Sequence, residues 1–245
     1  NTVRDYRLRL VVPTGIAGDY FAYQNGTFLE RAPGRTTGRE TERHPESEAL
    51  EKNFSGIVGK ADATGGIALD ARYGLHEVSA DTYGEGALYV TLLRAFRRTV
   101  MTNGEEDCQL LKPLTFEYAY KPVVAKGDYA PLYRFMQNYR ATSVNHQLPA
   151  SQCGAAAPDV SGFELCGNLG LSALKPAHSG ADRTVVLRLV NLSGETQTGQ
   201  VRLAQPARIT PVALDEERVL GAATRATEFD VTACAGQFIT YKLEF

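Results

Sequence analysis

Three arginines, Arg94, Arg97 and Arg98, follow an apolar run of Leu88, Val90, Leu92 and Leu93 and precede a polar turn, Asn103-Gly104-Glu105-Glu106-Asp107. A guanidinium offers five donors in a planar fork, which suits a carboxylate or a set of sugar hydroxyls. The stretch therefore reads either as a solvated hairpin end with internal ion pairs or as a loop reaching a polyhydroxylated ligand. Carboxylates are the second chemical resource. Hydrolysis of a glycosidic bond needs two of them across a cleft, and Asp70, Glu77 and Asp81 fall near the ends of expected strands. The run Glu105-Glu106-Asp107 reads as a solvated turn, because adjacent like charges cannot all be desolvated. Tyr73 offers an apolar plate with a polar tip, for stacking on a sugar or for capping a core.

Other chemistries find little support. His44, His76, His146 and His178 are far apart and none stands in HxH or HExxH, so no metal site is expected. There is no G-x-S-x-G elbow, and Gly84-Glu85-Gly86 reads as turn glycines. Cys108, Cys153, Cys166 and Cys234 form no CxxC. Cys153 and Cys166 are close enough in sequence to close a short loop, and free thiols are the alternative. N-x-[ST] triplets begin at Asn25, Asn53 and Asn191; Asn191-Leu-Ser-Gly reads as a turn.

The elements that must carry these residues are mostly strands. Tyr6–Val12, Phe54–Gly59, Gly66–Asp70, Ala87–Leu93 and Leu114–Tyr120 alternate or are β-branched. Residues 34–51 are polar and aperiodic, the pattern of a long surface loop. Between Asp128 and Tyr139, the spacing of Leu132, Phe135, Met136 and Tyr139 predicts a short helix or turn. Ala150–Gly162 has the composition of a linker. Short strands then recur over Leu169–Lys175, Thr184–Asn191, Thr198–Leu203, Arg208–Leu214, Glu228–Val231 and Gln237–Phe245, as in a β-sandwich. The expected fold is all-β: residues 1–125 as part of a large, mutarotase-like β-sandwich, 126–166 as a connecting segment, and 167–245 as a small terminal β-sandwich.

The chain has 245 residues, a formal charge of −2 and 43% hydrophobic residues. That balance gives no electrostatic reason to bind nucleic acid or an anionic membrane, and no apolar run is long enough to span a bilayer. The opening NTVRDYRLRLVVP lacks the apolar core of a signal peptide and reads as the interior of a longer protein. A soluble, cytoplasmic setting is expected.

IALDARYGLHEV (67–78), LYVTLLRAFRRT (88–99), TNGEEDCQLLKPLTFEYAYKP (102–122), LSALKPAHSG (171–180), VLRLVNLSGE (186–195) and QFITYKLEF (237–245) occur in that order. Together they resemble the C-terminal β region of glycoside hydrolase family 38, the α-mannosidases, over roughly residues 50 to 245. Asp70 lacks the asparagine that usually precedes it in that family, and Gly74-Leu75-His76 replaces the more common Gly-Tyr-Asp. The resemblance implies a parent enzyme performing zinc-assisted, retaining hydrolysis of α-mannosides. Its catalytic barrel, with the zinc ligands and the aspartate nucleophile, has no counterpart in this sequence. It further implies that this chain has no catalytic residue, and needs no cofactor of its own. Its partners would be an N-terminal catalytic domain of the same polypeptide and, through it, a mannoside. Asp70, Arg72, Tyr73, Arg94 and Arg97 are then candidates for the substrate rim or for interdomain docking. Two other readings stand beside this one: a free-standing carbohydrate-binding module, which the absence of Trp disfavours, and a structural interaction domain.

Overall fold

The computed structural model describes residues 1–245 except 25, 35–49, 73–76, 82–85, 99–102, 105, 128, 145, 146, 148, 150–160 and 179–182. The chain forms two compact units, Asn1–Arg140 and Ala141–Phe245, built mainly from antiparallel strands.

In the first unit a four-stranded sheet runs in the order β1 (Arg7–Pro13), β8 (Ala87–Arg94), β7 (Glu77–Ala80), β4 (Lys52–Asn53). A five-stranded sheet runs β3 (Thr27–Arg31), β2 (Tyr20–Gln24), β5 (Ile57–Asp62), β6 (Gly65–Ala71), β9 (Tyr118–Val123). One core joins them. Val12, Val78, Ala80, Leu88 and Val90 from the first sheet pack with Tyr20, Ala22, Val58, Leu69 and Ala71 from the second. These are alternate positions on each strand, as the two-residue period of a pleated strand requires.

The opposite face of the five-stranded sheet is also covered. Helix α1 (Ala130–Arg140) buries Ala130, Leu132, Tyr133 and Met136, the i, i+4 face of a helix resting on a sheet. Pro131 sits in its first turn, where a missing N–H costs nothing. Phe21, Tyr23, Phe28, Tyr129 and Tyr133 form a ring cluster, with Phe28 stacked on Tyr129 at 4.5 Å between centroids. Gly59 makes room for this layer, since a Cβ there would lie 2.3 Å from the Phe21 ring. Burial on both faces explains why Ile57 to Ala61 of β5 are all buried, without alternation.

The second unit is one curled sheet, with neighbours β10 (Phe163–Gly167), β13 (Gln197–Val212), β15 (Phe238–Glu244), β12 (Thr184–Asn191), β11 (Leu169–Pro176), and with β14 (Thr224–Ala233) beside β13. β13 pairs with β10 through Gly199–Leu203 and with β15 through Arg208–Val212. Its register against β14 shifts between Arg202 and Ala207, at a bulge containing Pro206. Proline is tolerated there because no ladder N–H is needed. The bend lets one strand serve both layers around a core of Leu169, Leu187, Leu189, Val201, Ile209, Val231 and Leu243.

The sequence expectations differ from this arrangement in several places. The connecting segment expected over 126–166 is divided. Its helix packs within the first unit, because its apolar face has the aromatic layer to cover, and Phe163–Gly167 is a strand of the second unit. Thr198–Leu203 and Arg208–Leu214 belong to one bent strand. The strand expected from Leu114 begins only at Tyr118, where it meets β6. The surface loop expected over residues 34–51 and the linker of Ala150–Gly162 fall largely outside the described residues. Among the described residues, no helix is long and apolar enough to cross a membrane.

Candidate functional site

Asp70 and Arg72 stand at the end of β6. Asp70 is fully buried and points to the helix side of the sheet, as its alternation with the core residues Leu69 and Ala71 dictates. Arg140, in the last turn of α1, donates to its Oδ1 from Nη2 at 2.8 Å and from Nε at 3.3 Å. The same guanidinium also donates to Ser55 O and Ala71 O. Asp70 Oδ2 has no hydrogen-bond partner among the described residues. Burial pushes the Asp70 carboxyl above its ordinary range, and the bond and charge of Arg140 offset only part of that. Arg72 lies 3.2 Å from Glu117 Oε2 and places its guanidinium 5.6 Å from the centre of the Tyr139 ring. The two residues thus join β6, the segment leading into β9 and the end of α1. Tyr73, the third candidate of this stretch, and His76 lie outside the described residues.

Arg94 and Arg97 belong to the other sheet. Arg94 faces Arg7 directly across the β1–β8 ladder, a like-charge pairing that needs compensation. Glu77, from β7, supplies it, 3.9 Å from Arg7 and 3.8 Å from Arg94. Glu51 accepts hydrogen bonds from both Arg7 and Arg9. Burial disfavours ionisation of the Glu51 carboxyl, yet its own backbone N–H and the two arginines hold it below its usual range. Thr91 Oγ1 donates to Glu77 Oε1 at 2.7 Å. Glu77 and Arg94 border an open groove of 320 Å³ whose other walls include Leu92, Leu110, Leu114 and Phe116.

Arg97 lies 3.6 Å from Asp5, and Arg98 pairs through its backbone with Asn103. The acidic turn does not neutralise these arginines through Glu106, which pairs instead with Arg4. The N-terminal segment is fastened there by Gln109, a buried amide that accepts from Asp5 N and donates to Asp5 Oδ1. Sequence reasoning gave Gln109 no role, because its partner is remote in the chain.

A buried cation also escaped the sequence reading. Lys60 has no solvent exposure. Its ammonium donates to Ile16 O at 2.9 Å and to both oxygens of Asp81, at 2.9 and 2.8 Å. Asp81 also accepts from the backbone N–H groups of Gly18, Gly86 and Ala87. Desolvation opposes its charge, but these donors hold its carboxyl below the ordinary range. Every donor of Lys60 is thereby used, so the pair is a pin between strand and turns rather than an acid or base.

In the second unit, the exposed Lys175 pairs with Glu216 at 3.0 Å, and Arg188 pairs with the same carboxylate. Asn191 is the turn residue its sequence suggests and is completely buried. Its Nδ2 donates to Glu195 O, Ala233 O and Cys234 O. An apolar hollow of 480 Å³ is lined by Phe163, Leu174, Leu203 and Phe245 among others.

Among the described residues, no three His, Cys, Asp or Glu side chains are grouped to hold a metal ion. Cys108, Cys166 and Cys234 are free thiols, and Cys153 lies outside the described residues. The five sequence candidates thus divide: Asp70 and Arg72 in one sheet, Arg94 and Arg97 in or beside the other, and Tyr73 undescribed.

Residues 168–238 match the family model for the glycosyl hydrolases family 38 C-terminal beta sandwich domain. No curated protein matches the sequence. Over its full length the chain shares the fold of two solved structures, a protein in glycosyl hydrolase family 38 from Enterococcus faecalis and an alpha-mannosidase from Enterococcus faecalis V583. Each superposes with a TM-score of 0.74 at 19% identity. The chain spans 27% and 26% of their lengths.

Proposed function

We propose that this chain is an accessory β-sandwich region of a family 38 α-mannosidase-type enzyme, supporting a catalytic barrel and one wall of its cleft without performing the chemistry. The observation that carries this reading is the likeness over the whole chain to about a quarter of family 38 structures, with the C-terminal sandwich motif in the second unit. The side chains agree with it. Asp70 and Asp81, the two most buried candidate carboxylates, are engaged by Arg140 and Lys60 and are not presented to a cleft. Among the described residues, no three His, Cys, Asp or Glu side chains are grouped as the zinc of the parent reaction would need. Arg72, Tyr73, Arg94 and Arg97 are proposed as rim or docking residues.

A free-standing carbohydrate-binding module has less support. Such modules present flat aromatic platforms. The exposed rings of Tyr118 and Tyr120 meet at 79°, which makes a corner rather than a plate.

The test is hydrolysis of a chromogenic α-mannoside by this chain, with and without added zinc. No turnover is expected in either condition. Zinc-dependent turnover by contaminant-free protein would overturn the proposal.

A further inference from the structure

We infer that the groove beside Glu77 and Arg94 is a binding subsite for a single neutral sugar ring, an inference that rests on the accessory reading above. Glu77 Oε2 and Arg94 Nη1 face each other at 3.8 Å, beyond hydrogen-bond distance. Thr91 occupies the other oxygen of Glu77. The Arg94 side chain is 60% exposed and rests near the Phe96 ring, 5.9 Å from its centre. Among the described residues its guanidinium donates no hydrogen bond. One acceptor and one planar donor set therefore stand side by side with capacity to spare.

The chemistry of the ligand follows from that pair. An anion would meet the Glu77 carboxylate, and a cation would meet Arg94 and Arg7. A polyol suits both groups, because each hydroxyl donates and accepts, so neighbouring hydroxyls engage a carboxylate and a guanidinium together. The remaining walls, Leu92, Leu110, Leu114 and Phe116, are apolar and match the C–H face of a pyranose. A volume of 320 Å³ is at the small end of ligand pockets, roughly 300–1,000 Å³, which suits one ring and not an extended glycan.

The experiment is a titration of the isotopically labelled full chain with methyl α-D-mannopyranoside, followed by amide chemical shifts. Saturable shifts are expected in Leu92–Arg94 and Leu110–Phe116, with millimolar affinity. Arg94→Ala and Glu77→Gln should each weaken binding by about tenfold, the loss of one hydrogen bond to a charged group. Arg94→Ala removes an exposed side chain, and an unchanged thermal midpoint checks that the fold persists. Absence of saturable shifts, or equal binding by wild type and Arg94→Ala, would overturn the inference. That failure leaves the accessory reading standing, whereas turnover by the chain would sink the accessory reading whatever the groove binds.

Discussion

Arg140 and Asp70 are 70 residues apart in sequence and 2.8 Å apart in the fold. Their bond fastens the last turn of α1 to β6, the second-to-last strand of the five-stranded sheet. Asp70 is fully buried and its Oδ2 has no partner among the described residues. The arrangement is an incompletely compensated buried carboxylate, and its behaviour with pH follows from that.

Removing the guanidinium should expose the cost. Arg140→Met should destabilise the chain by about 3–5 kcal/mol at neutral pH, the range for leaving one member of a buried pair uncompensated. The Asp70 carboxyl is already raised above the ordinary carboxylate range by burial, so its favourable contribution is full at low pH and is lost as pH rises through the folded value. Without Arg140 the folded value rises further. The deficit of the variant in urea unfolding should therefore shrink on acidification from pH 7.5 to 4.5. An equal deficit at both would show that the charge of Asp70 is not the source.

The Lys60–Asp81 pin should respond in the opposite sense. The Asp81 carboxyl is lowered in the fold, so it contributes stability above its unfolded value of 3.8 and loses that contribution as pH falls below it. Asp81→Asn should cost about 3 kcal/mol or more at neutral pH, because the Lys60 ammonium is left buried without its counter-charge. The gap between wild type and variant should close as acid unfolding is followed below pH 3.8. A gap that persists through that window would mean Asp81 acts by shape alone.

Asn191 closes the end of β12 against the end of β14, the two Nδ2 hydrogens being shared among the carbonyls of Glu195, Ala233 and Cys234. Asn191→Ala should destabilise the second unit by about 3 kcal/mol, since buried carbonyls lose their donor and each unsatisfied group costs about 1–3 kcal/mol. Hydrogen exchange should accelerate at Glu195–Val201 and Val231–Gln237 while amides of β5 and β6 are unaffected. Uniform acceleration across the chain would contradict a local role.

Part of this was legible along the chain. β8 and β12 announce themselves by alternating or β-branched residues, and α1 by the spacing of Leu132 and Met136. The hairpin of β2 and β3 was missed although Asn25-Gly26 lies between them, the strongest short signal for such a turn. Gln24 and Thr27 are partners there, and Gly26 has φ +95°. β13 reads as two strands because Gln205-Pro206 interrupts the period, and only its two sets of neighbours reveal one bent element. In sequence Arg94 reads as a donor for a carboxylate or for sugar hydroxyls, and the fold sets Glu77, on a neighbouring strand, 3.8 Å from it.

The sequence by itself determined the all-β class, the β-sandwich character and most of the strands, because side-chain period and β-branching are local properties. Tertiary structure decided which charges meet. Lys60 with Asp81, Asp70 with Arg140, and Gln109 with Asp5 are contacts between distant segments, and no spacing rule encodes them. The same residues in sequence could have been solvated, catalytic or structural. Burial, a property of the whole fold, made two of these carboxylates into fasteners and left Arg94 at the edge of a groove.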